Sequence, residues 1–455
     1  MRIRNLAVLA AVSLTATACL NLEGDKLSTS PNLPTVATLD QYFVAVQGIG
    51  FSTLTSDLAM FSNVVLQQLT GNGRQWVAYD QYDQPEDFFT VGNFYVAGGL
   101  IDIRAGQKIA RASGRKAYLG ILQVWEALTI GVAADTYGDI GYSEALGDKP
   151  AKLDPQQQVY AALQLVLDSA ITNLAGGGAG PGGKDLVYGG DVVKWTALAR
   201  TLKARLYMHT AERVPGAYAL ALAQAKLGIT SAANDFKSYQ SSTVGEQNRW
   251  YEFKVGRSDD VAAGRVLVEL MRTRGDPRLA AWFDVNGSNQ IRGQYPYNTP
   301  RLGEESDPSW LTDAIAGQDA RMPIVTWAES RLIEAEAAFK GGDEPGARTA
   351  LNAVRAAVPL PASAATGTAL YTAIMEEKYV ATFRTLEAWN DYKRTCYPNI
   401  TPTAGKTNVI GRLPYGSAER STNPNVPALG AQPQRNWNDP ITPTSTNGAA
   451  CIGQK

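Results

Sequence analysis

The chain has 455 residues, of which 45% are hydrophobic and 19% charged, so it has ample apolar material for one large globular domain or several smaller ones. Lysine and arginine together number 42 against 43 aspartates and glutamates, and this balance gives no electrostatic reason to expect nucleic acid as a partner. One histidine and three cysteines exclude a multi-histidine metal centre and a four-cysteine zinc site. We predict no cofactor and assign no metal site, and binding of an ion such as Ca²⁺ stays open because sites made of oxygen ligands need no fixed spacing.

Residues 1–18 have the pattern of a secretion signal. Two arginines precede a short apolar run that is far below the ~20 residues needed to span a bilayer. The run ends in Ala16-Thr17-Ala18-Cys19, and small residues before a cysteine are what a lipoprotein signal peptidase cleaves. Cys19 is the predicted acylation site, and residues 19–38 form a predicted polar tether. The alternative is an ordinary signal cleaved nearby, which would leave Cys19 as a free thiol.

From residue 39 onward the apolar spacing is mostly that of amphipathic helices. We predict helical-repeat regions at 39–231 and 321–397, separated by a loop-rich inserted lobe at 232–320 in which Gly, Asn, Asp and Pro dominate. Residues 398–455 are predicted to be an extended, proline-rich segment. Individual helices are predicted at about 115–134, 154–174, 192–213, 323–340, 344–357 and 368–394.

Caps and small residues refine this fold prediction. Asp154 is the predicted cap of the helix at 154–174, with Pro155 at its first position, where no hydrogen bond is lost. Alanines at the predicted crossing of the helices at 323–340 and 344–357 resemble tetratricopeptide units, although the strict repeat signature is absent. The predicted fold is mainly α, a tetratricopeptide-like superhelix of helical pairs with the loop-rich lobe inserted.

Cys396 and Cys451 are the two cysteines that remain besides Cys19. In an exported protein such a pair is a candidate disulfide, which would hold the C-terminal segment against the last helices. Two buried free thiols are the alternative, because spacing in the sequence does not decide the distance between Cα atoms.

Several sequence blocks, in order along the chain, resemble those of the SusD/RagB-like outer-membrane lipoproteins. Glu387-Ala-Trp-Asn-Asp-Tyr-Lys-Arg394, followed by Tyr397-Pro398, resembles the C-terminal helix of one subgroup, with Lys393 where arginine is usual. Tyr137-Gly-Asp-Ile-Gly-Tyr-Ser-Glu-Ala145 resembles a turn of the family, with Gly141 replacing the usual proline. The remaining blocks are Trp195–Arg205, Trp327–Ala337, Asn352–Arg355, Ile374–Phe383, Arg412–Glu419 and Asn423–Asn425.

The resemblance implies a cell-surface binding protein of the outer membrane that is not an enzyme. Such lipoproteins cap a TonB-dependent β-barrel transporter and capture oligosaccharides, or sometimes peptides, for uptake. A helical-repeat scaffold that holds proteins together on the membrane is the alternative function. A lipid-anchored hydrolase is disfavoured, because the acids that lie close in sequence belong to the family blocks, and His209 is expected to be a packed or surface residue of its helix.

Two polar segments with clustered aromatic residues are candidate ligand-binding sites, since sugar rings present apolar faces to aromatic rings and hydroxyls to polar side chains. The first segment is predicted to be a loop, and the second lies in the inserted lobe. The candidate residues are Asn72, Arg74, Trp76, Tyr79, Tyr82 and Trp250. The alternative is that these rings pack against their own segments. Trp195, Trp327 and Trp389 have helical apolar spacing and are predicted to be core residues.

Overall fold

The structure, a computed structural model, describes residues 37–83, 86–296, 307–400, 406 and 409–439. The predicted signal at 1–18, Cys19, most of the tether and Cys451 lie outside the described residues. Cys396 is disulfide-bonded and fully buried. Its pairing with Cys451 stays a prediction.

Helices dominate the described residues, which confirms the mainly α fold. The helices are α1 (Leu39–Thr55), α2 (Asp57–Val65), α3 (Arg74–Asp80), α4 (Leu100–Ala112), α5 (Lys116–Tyr137), α6 (Gln156–Ala175), α7 (Val192–Thr210), α8 (Ala217–Ala225), α9 (Arg249–Arg257), α10 (Arg265–Thr273), α11 (Arg278–Trp282), α12 (Asp313–Ala316), α13 (Trp327–Lys340), α14 (Glu344–Ala357), α15 (Gly367–Ala381), α16 (Glu387–Thr395) and α17 (Ser417–Thr422). The strands are β1 (Leu69–Gly71), β2 (Phe236–Lys237), β3 (Val261–Ala263) and β4 (Pro323–Val325).

The helices of the frame pack against one another in series, in the order in which they occur along the chain but with α2, α3 and α9 to α12 left out of the series. Helix α1 packs on α4, and the series continues through α5, α6, α7 and α8, and then through α13 to α14 and α15. Short connections, such as residues 113–115 between α4 and α5, make neighbouring helices antiparallel. Small side chains allow the backbones of α13 and α14 to approach closely, and alanines lie buried where the two helices meet, as the sequence predicts. These alanines are Ala335, Ala338, Ala347 and Ala350.

Helix α5 is the central helix of the core. All but its first residue are buried, as predicted from its apolar character on every face. Within the described residues it is the one helix long and apolar enough to cross a membrane, and its apolar window is wholly buried inside the protein. Gly138 ends the helix with φ +79°, and a Cβ there would lie 2.8 Å from Oδ1 of Asn436. Glycine is therefore required at this family turn.

The short strands tie the inserted lobe to the helical frame. β1 pairs antiparallel with β3, with Leu69 opposite Ala263 and Gly71 opposite Val261. β2 pairs antiparallel with β4, with Phe236 opposite Val325. The lobe predicted as loop-rich also contains four helices, α9 to α12, of which α10 has a strongly one-sided apolar face. Sequence analysis missed these helices because they are short and lie between glycine and proline residues.

Two further predictions about helix ends were wrong. The segment 368–394 is two helices, α15 and α16, because the backbone turns at Arg384, which has φ +69°. The side chain of Asn63 on α2 holds this turn: its Oδ1 accepts the Arg384 N–H at 2.9 Å, and its Nδ2 donates to the Thr385 carbonyl at 3.0 Å. A contact so distant in sequence leaves no local signal.

At the start of α6, Asp154 does not cap the helix. Its carboxylate accepts the backbone N–H groups of Tyr142 and Ser143 at 2.8 and 2.7 Å. The carboxylate of Asp139 accepts the N–H of Gln156 at 2.8 Å and takes the capping role instead. The capping role that the sequence predicts for Asp154 thus belongs to Asp139 of the preceding turn.

Candidate functional site

Several charged residues of the family blocks, and of the helices that carry those blocks, lie in the protein interior. Arg205 on α7 donates two hydrogen bonds of 2.6 Å to the carboxylate of Glu329 on α13. His209, one turn further along α7, lies between two carboxylates: Nδ1 is 2.9 Å from Asp135 on α5, and Nε2 is 2.9 Å from Glu387 on α16. All of these side chains are buried. They join four helices that are far apart in sequence.

The histidine of this cluster is held in its charged form. Burial by itself lowers the pKa of His209, but the carboxylates of Asp135 and Glu387 outweigh burial and raise it to about 9. The two ring nitrogens lie on opposite edges of the imidazole and face different carboxylates. One ligand atom from each of the three side chains lies within 4.8 Å of the others, as a metal site would require. Each ring nitrogen of His209 is paired with its own carboxylate at 2.9 Å, so the cluster is better explained as a set of ion pairs that joins the helices.

A second ionic centre lies around Glu336 on α13. Arg394 donates to both of its oxygens at 2.6 and 2.8 Å, and Lys378 donates to one of them at 2.7 Å. Although burial works to raise it, these two cations lower the pKa of Glu336 to about 2. Glu377 is likewise fully buried and is paired with Arg278 at 2.7 Å. Glu336 and Glu377 are thus engaged in ion pairs that hold the helices together.

The predicted aromatic platform is buried in the core. Trp76 is 1% exposed and Trp250 is not exposed, and Tyr79 and Tyr82 are also buried. The segment at 72–83 is not a loop, because it contains α3, whose inner face carries the Trp76 and Tyr79 rings. Tyr82 donates to the Val65 carbonyl at 3.0 Å, and Trp250 donates to the Thr55 carbonyl at 2.9 Å. These four rings therefore present no open face to a ligand, and their assignment as a platform is corrected to core packing.

The two polar candidates lie nearer the surface, apart from these rings. The side-chain amides of Asn72 and Gln294 form a reciprocal pair at 2.6 and 2.5 Å. Arg74 is largely exposed and lies 3.8 Å from Asp260, which the β1–β3 pairing brings beside it. Ligand contact by Asn72 and Arg74 stays a prediction. Trp195 and Trp389 are core residues, as predicted, and Trp327 is partly buried against the core.

A cleft of about 770 Å³ lies between α1 and the lobe segment that leads into α9. We call it the Tyr239 cleft, after an aromatic residue that is 37% exposed. The guanidinium of Arg321 lies 5.1 Å from the centre of the Tyr239 ring. Apolar residues such as Phe51 and Leu186 form part of the cleft lining. Amide, carboxylate and guanidinium groups also line it: Gln240, Gln247, Asp57, Glu246, Glu252 and Arg249.

This cleft has the chemistry that the sequence analysis sought at Trp76. It combines a partly exposed aromatic ring with hydrogen-bonding groups of both charges, in a volume suited to several sugar rings or a short peptide. Sequence analysis missed Tyr239 because a single tyrosine among serines and glutamines is not a cluster. The available signal was its position in a polar stretch without apolar periodicity, at 238–249.

Comparison with known proteins places the chain in a family. A sequence model of the SusD-like family, described as "Starch-binding associating with outer membrane", matches residues 31–416. The chain therefore belongs to the SusD-like family, as the sequence blocks predict. No curated protein sequence matches it.

Solved structures show the same fold. A SusD/RagB family protein from Bacteroides thetaiotaomicron is 19% identical, with a TM-score of 0.69 over 89% of this chain and 100% of that one. A chitin-binding SusD homologue from Flavobacterium johnsoniae is 19% identical, with a TM-score of 0.74 over 89% and 99% of the two chains. These likenesses confirm the tetratricopeptide-like helical fold.

Proposed function

We propose that the chain is a cell-surface substrate-binding lipoprotein that captures oligosaccharides and delivers them to a partner TonB-dependent outer-membrane transporter. Membership of a family described as starch-binding and associated with the outer membrane is the observation that carries this proposal. A similar solved structure is described as chitin-binding, which points to a carbohydrate as the ligand. Peptides are the alternative ligand.

The Tyr239 cleft is the proposed binding site. Its tyrosine offers a partly exposed ring on which the apolar face of a sugar can stack, and its amides and carboxylates can bond the hydroxyls. Two acids of the family blocks, Glu329 and Glu336, are buried in ion pairs with Arg205 and Arg394, and the proposal assigns binding and no bond cleavage to this protein.

The anchor and the transporter belong to the proposal through the sequence. The small residues before Cys19 support acylation of that cysteine and attachment to the outer membrane, with the folded part exposed at the surface. A Cys19→Ala variant is expected to leave the membrane fraction, and both forms are expected to copurify in detergent with a TonB-dependent β-barrel. Copurification that survives loss of the anchor in detergent would support a direct protein contact, and no barrel with either form would contradict delivery.

The binding proposal is tested by calorimetric titration of the full-length protein with a panel of oligosaccharides and short peptides. Replacing Tyr239 by Ala is expected to weaken binding of the preferred oligosaccharide about tenfold or more, because losing the apolar area that a sugar face buries on the ring is expected to cost about 1.4 kcal/mol or more, which corresponds to tenfold in Kd. Tyr207→Ala is the matched control, since that tyrosine is partly exposed on α7 and lies outside the cleft. Binding of peptides alone would refute the carbohydrate assignment, and equal affinity of both variants would refute the site.

A further inference from the structure

Helix α1 forms one wall of the Tyr239 cleft, and Gly48 lies in the middle of that wall. The cleft lining includes Val44, one turn before Gly48, and Phe51 and Ser52, one turn after it. Residues three or four positions apart lie on the same face of a helix. Gly48 therefore lies on the side of α1 that faces the cleft, where it is exposed.

The fold itself does not require glycine at this position. Gly48 lies inside α1, and its φ is outside the left-handed region that favours glycine. A Cβ on Gly48 would have no described atom within 4 Å, apart from its own stretch of helix. At Gly50 of the same helix, by contrast, a Cβ would lie 2.5 Å from the Trp125 ring, so packing requires glycine there. Neither backbone conformation nor packing accounts for Gly48.

The glycine at position 48 also weakens its own helix. Glycine in a helix interior is less favourable than alanine, because it loses more conformational entropy on folding. What the missing side chain provides is space, since the cleft reaches the α1 backbone at Gly48. The effect of this glycine is therefore on the cleft and on what the cleft can hold.

The two sides of the cleft differ in chemistry. On the α1 side, Val44 is 46% exposed, and Phe51 and Leu186 also belong to the lining. The peptide groups in the middle of a helix are hydrogen-bonded to one another, so the bare backbone at Gly48 presents mainly C–H surface. The lobe side carries the amides and most of the carboxylates. A ligand with an apolar face and polar edges fits this arrangement, and a pyranose ring has that form.

We propose that Gly48 is a specificity-determining residue, on which one sugar ring of the ligand lies with its apolar C–H face against the α1 backbone. The hydroxyls at the edge of the ring then bond the polar groups of the lobe. Taking the ligand to be a sugar rests on the proposed function, whereas the space above Gly48 is a property of the fold. The contact at Gly48 is separate from the one at Tyr239, because the two residues lie on different walls.

The first test enlarges the side chain at position 48 in the full-length protein in detergent. Gly48→Ala is expected to raise the melting temperature by about 1 °C, because alanine is the better helix former and the unfolding entropy of so long a chain is large. Gly48→Leu is expected to melt no lower than the parent. It should weaken binding of maltohexaose or chitohexaose, fragments of starch and chitin, about tenfold or more, because its side chain occupies the place of the ring.

Gly256→Leu is the matched control for the larger side chain. Gly256 on α9 is also exposed, and a Cβ there would likewise have no described atom within 4 Å. It is not part of the cleft lining. This variant is expected to change the affinity for either hexasaccharide by less than twofold.

A second measurement detects the contact directly. Gly48→Cys places a thiol in the cleft wall, and its alkylation by iodoacetamide is followed with and without saturating hexasaccharide, with the parent protein as background. The sugar is expected to slow alkylation about tenfold. Alkylation of Leu165→Cys, at a position on α6 that is 68% exposed and outside the cleft lining, is expected to be unchanged.

Unchanged affinity in Gly48→Leu, or an alkylation rate at position 48 that a bound hexasaccharide does not change, would overturn the proposal. A loss of stability in Gly48→Ala would overturn it as well, because the fold would then require glycine there. Protection by short peptides and not by the sugars would overturn the sugar assignment.

The same variants separate this inference from the proposed function. If Tyr239→Ala weakens hexasaccharide binding and Gly48→Leu does not, the proposed function stands and the inference fails. If Gly48→Leu weakens binding and Tyr239→Ala does not, the inference stands and the Tyr239 contact is refuted. A parent protein that binds neither hexasaccharide nor any other sugar of the panel would refute both.

Discussion

Replacing Trp76 by Ala tests whether this ring belongs to the core or to a ligand site. The ring contacts those of Tyr79, Phe88 and Phe253 edge to face, with centroids 5.5, 6.1 and 5.5 Å away. A buried aromatic side chain of roughly 200 Å² at ~25 cal/mol/Å² gives an upper figure of about 5 kcal/mol. We therefore expect Trp76→Ala to lower the free energy of unfolding by about 3–5 kcal/mol.

The conservative variant separates packing from hydrogen bonding. The indole Nε1 of Trp76 has no hydrogen-bond partner, so Trp76→Phe loses only part of the ring and should cost about 1–2 kcal/mol. Tyr239→Ala is the exposed control and is expected to change stability by at most ~0.5 kcal/mol.

Guanidinium denaturation followed by tryptophan fluorescence and circular dichroism provides the free energies for these three variants. A Trp76→Ala protein as stable as the parent, with weakened oligosaccharide binding, would refute the core assignment. It would restore the ring to a ligand-contacting role.

Two further predictions concern the buried ionic centres. The pKa of His209 is raised from 6.5 to about 9. Its contribution to stability of ~3 kcal/mol is therefore complete below pH 6.5 and is lost as the pH rises through 9. The difference in unfolding free energy between the parent and His209→Gln should shrink over this range, and a constant difference would contradict the ion pairing. Glu336→Gln removes the negative charge that balances Arg394 and Lys378 in the core, and it should lower the free energy of unfolding by about 3–5 kcal/mol at pH 7. The control is Glu334→Gln on the same helix, which should cost less than ~1 kcal/mol because the Glu334 side chain is partly exposed. Because the pKa of Glu336 is lowered from 4.5 to about 2, its contribution to stability should be present above pH 4.5 and lost as the pH falls through 2. Equal losses of unfolding free energy for Glu336→Gln and Glu334→Gln at pH 7 would contradict this account.

Much of the fold follows from local sequence signals. The apolar faces predict α5, α6, α7, α13 and α14 to within a few residues, because helical periodicity and caps act over one or two turns. The family blocks predict the family, since their order along the chain is specific even where each block alone is weak. That charged residues of these blocks form buried ion pairs between helices was not evident from the sequence.

The tertiary structure decided which polar and aromatic side chains are available to a ligand. Trp76 and Tyr239 both lie in polar stretches of the sequence. In the fold, Phe88 and Phe253 pack against Trp76 and bury it, whereas Tyr239 stays partly exposed. The C-terminal segment likewise packs against the 140–153 turn, where the Asn423 side-chain amide donates to the Ala151 carbonyl at 2.8 Å. Contacts such as this one and that of Trp76 with Phe253 join residues far apart in the chain, for which neither local propensity nor periodicity carries information.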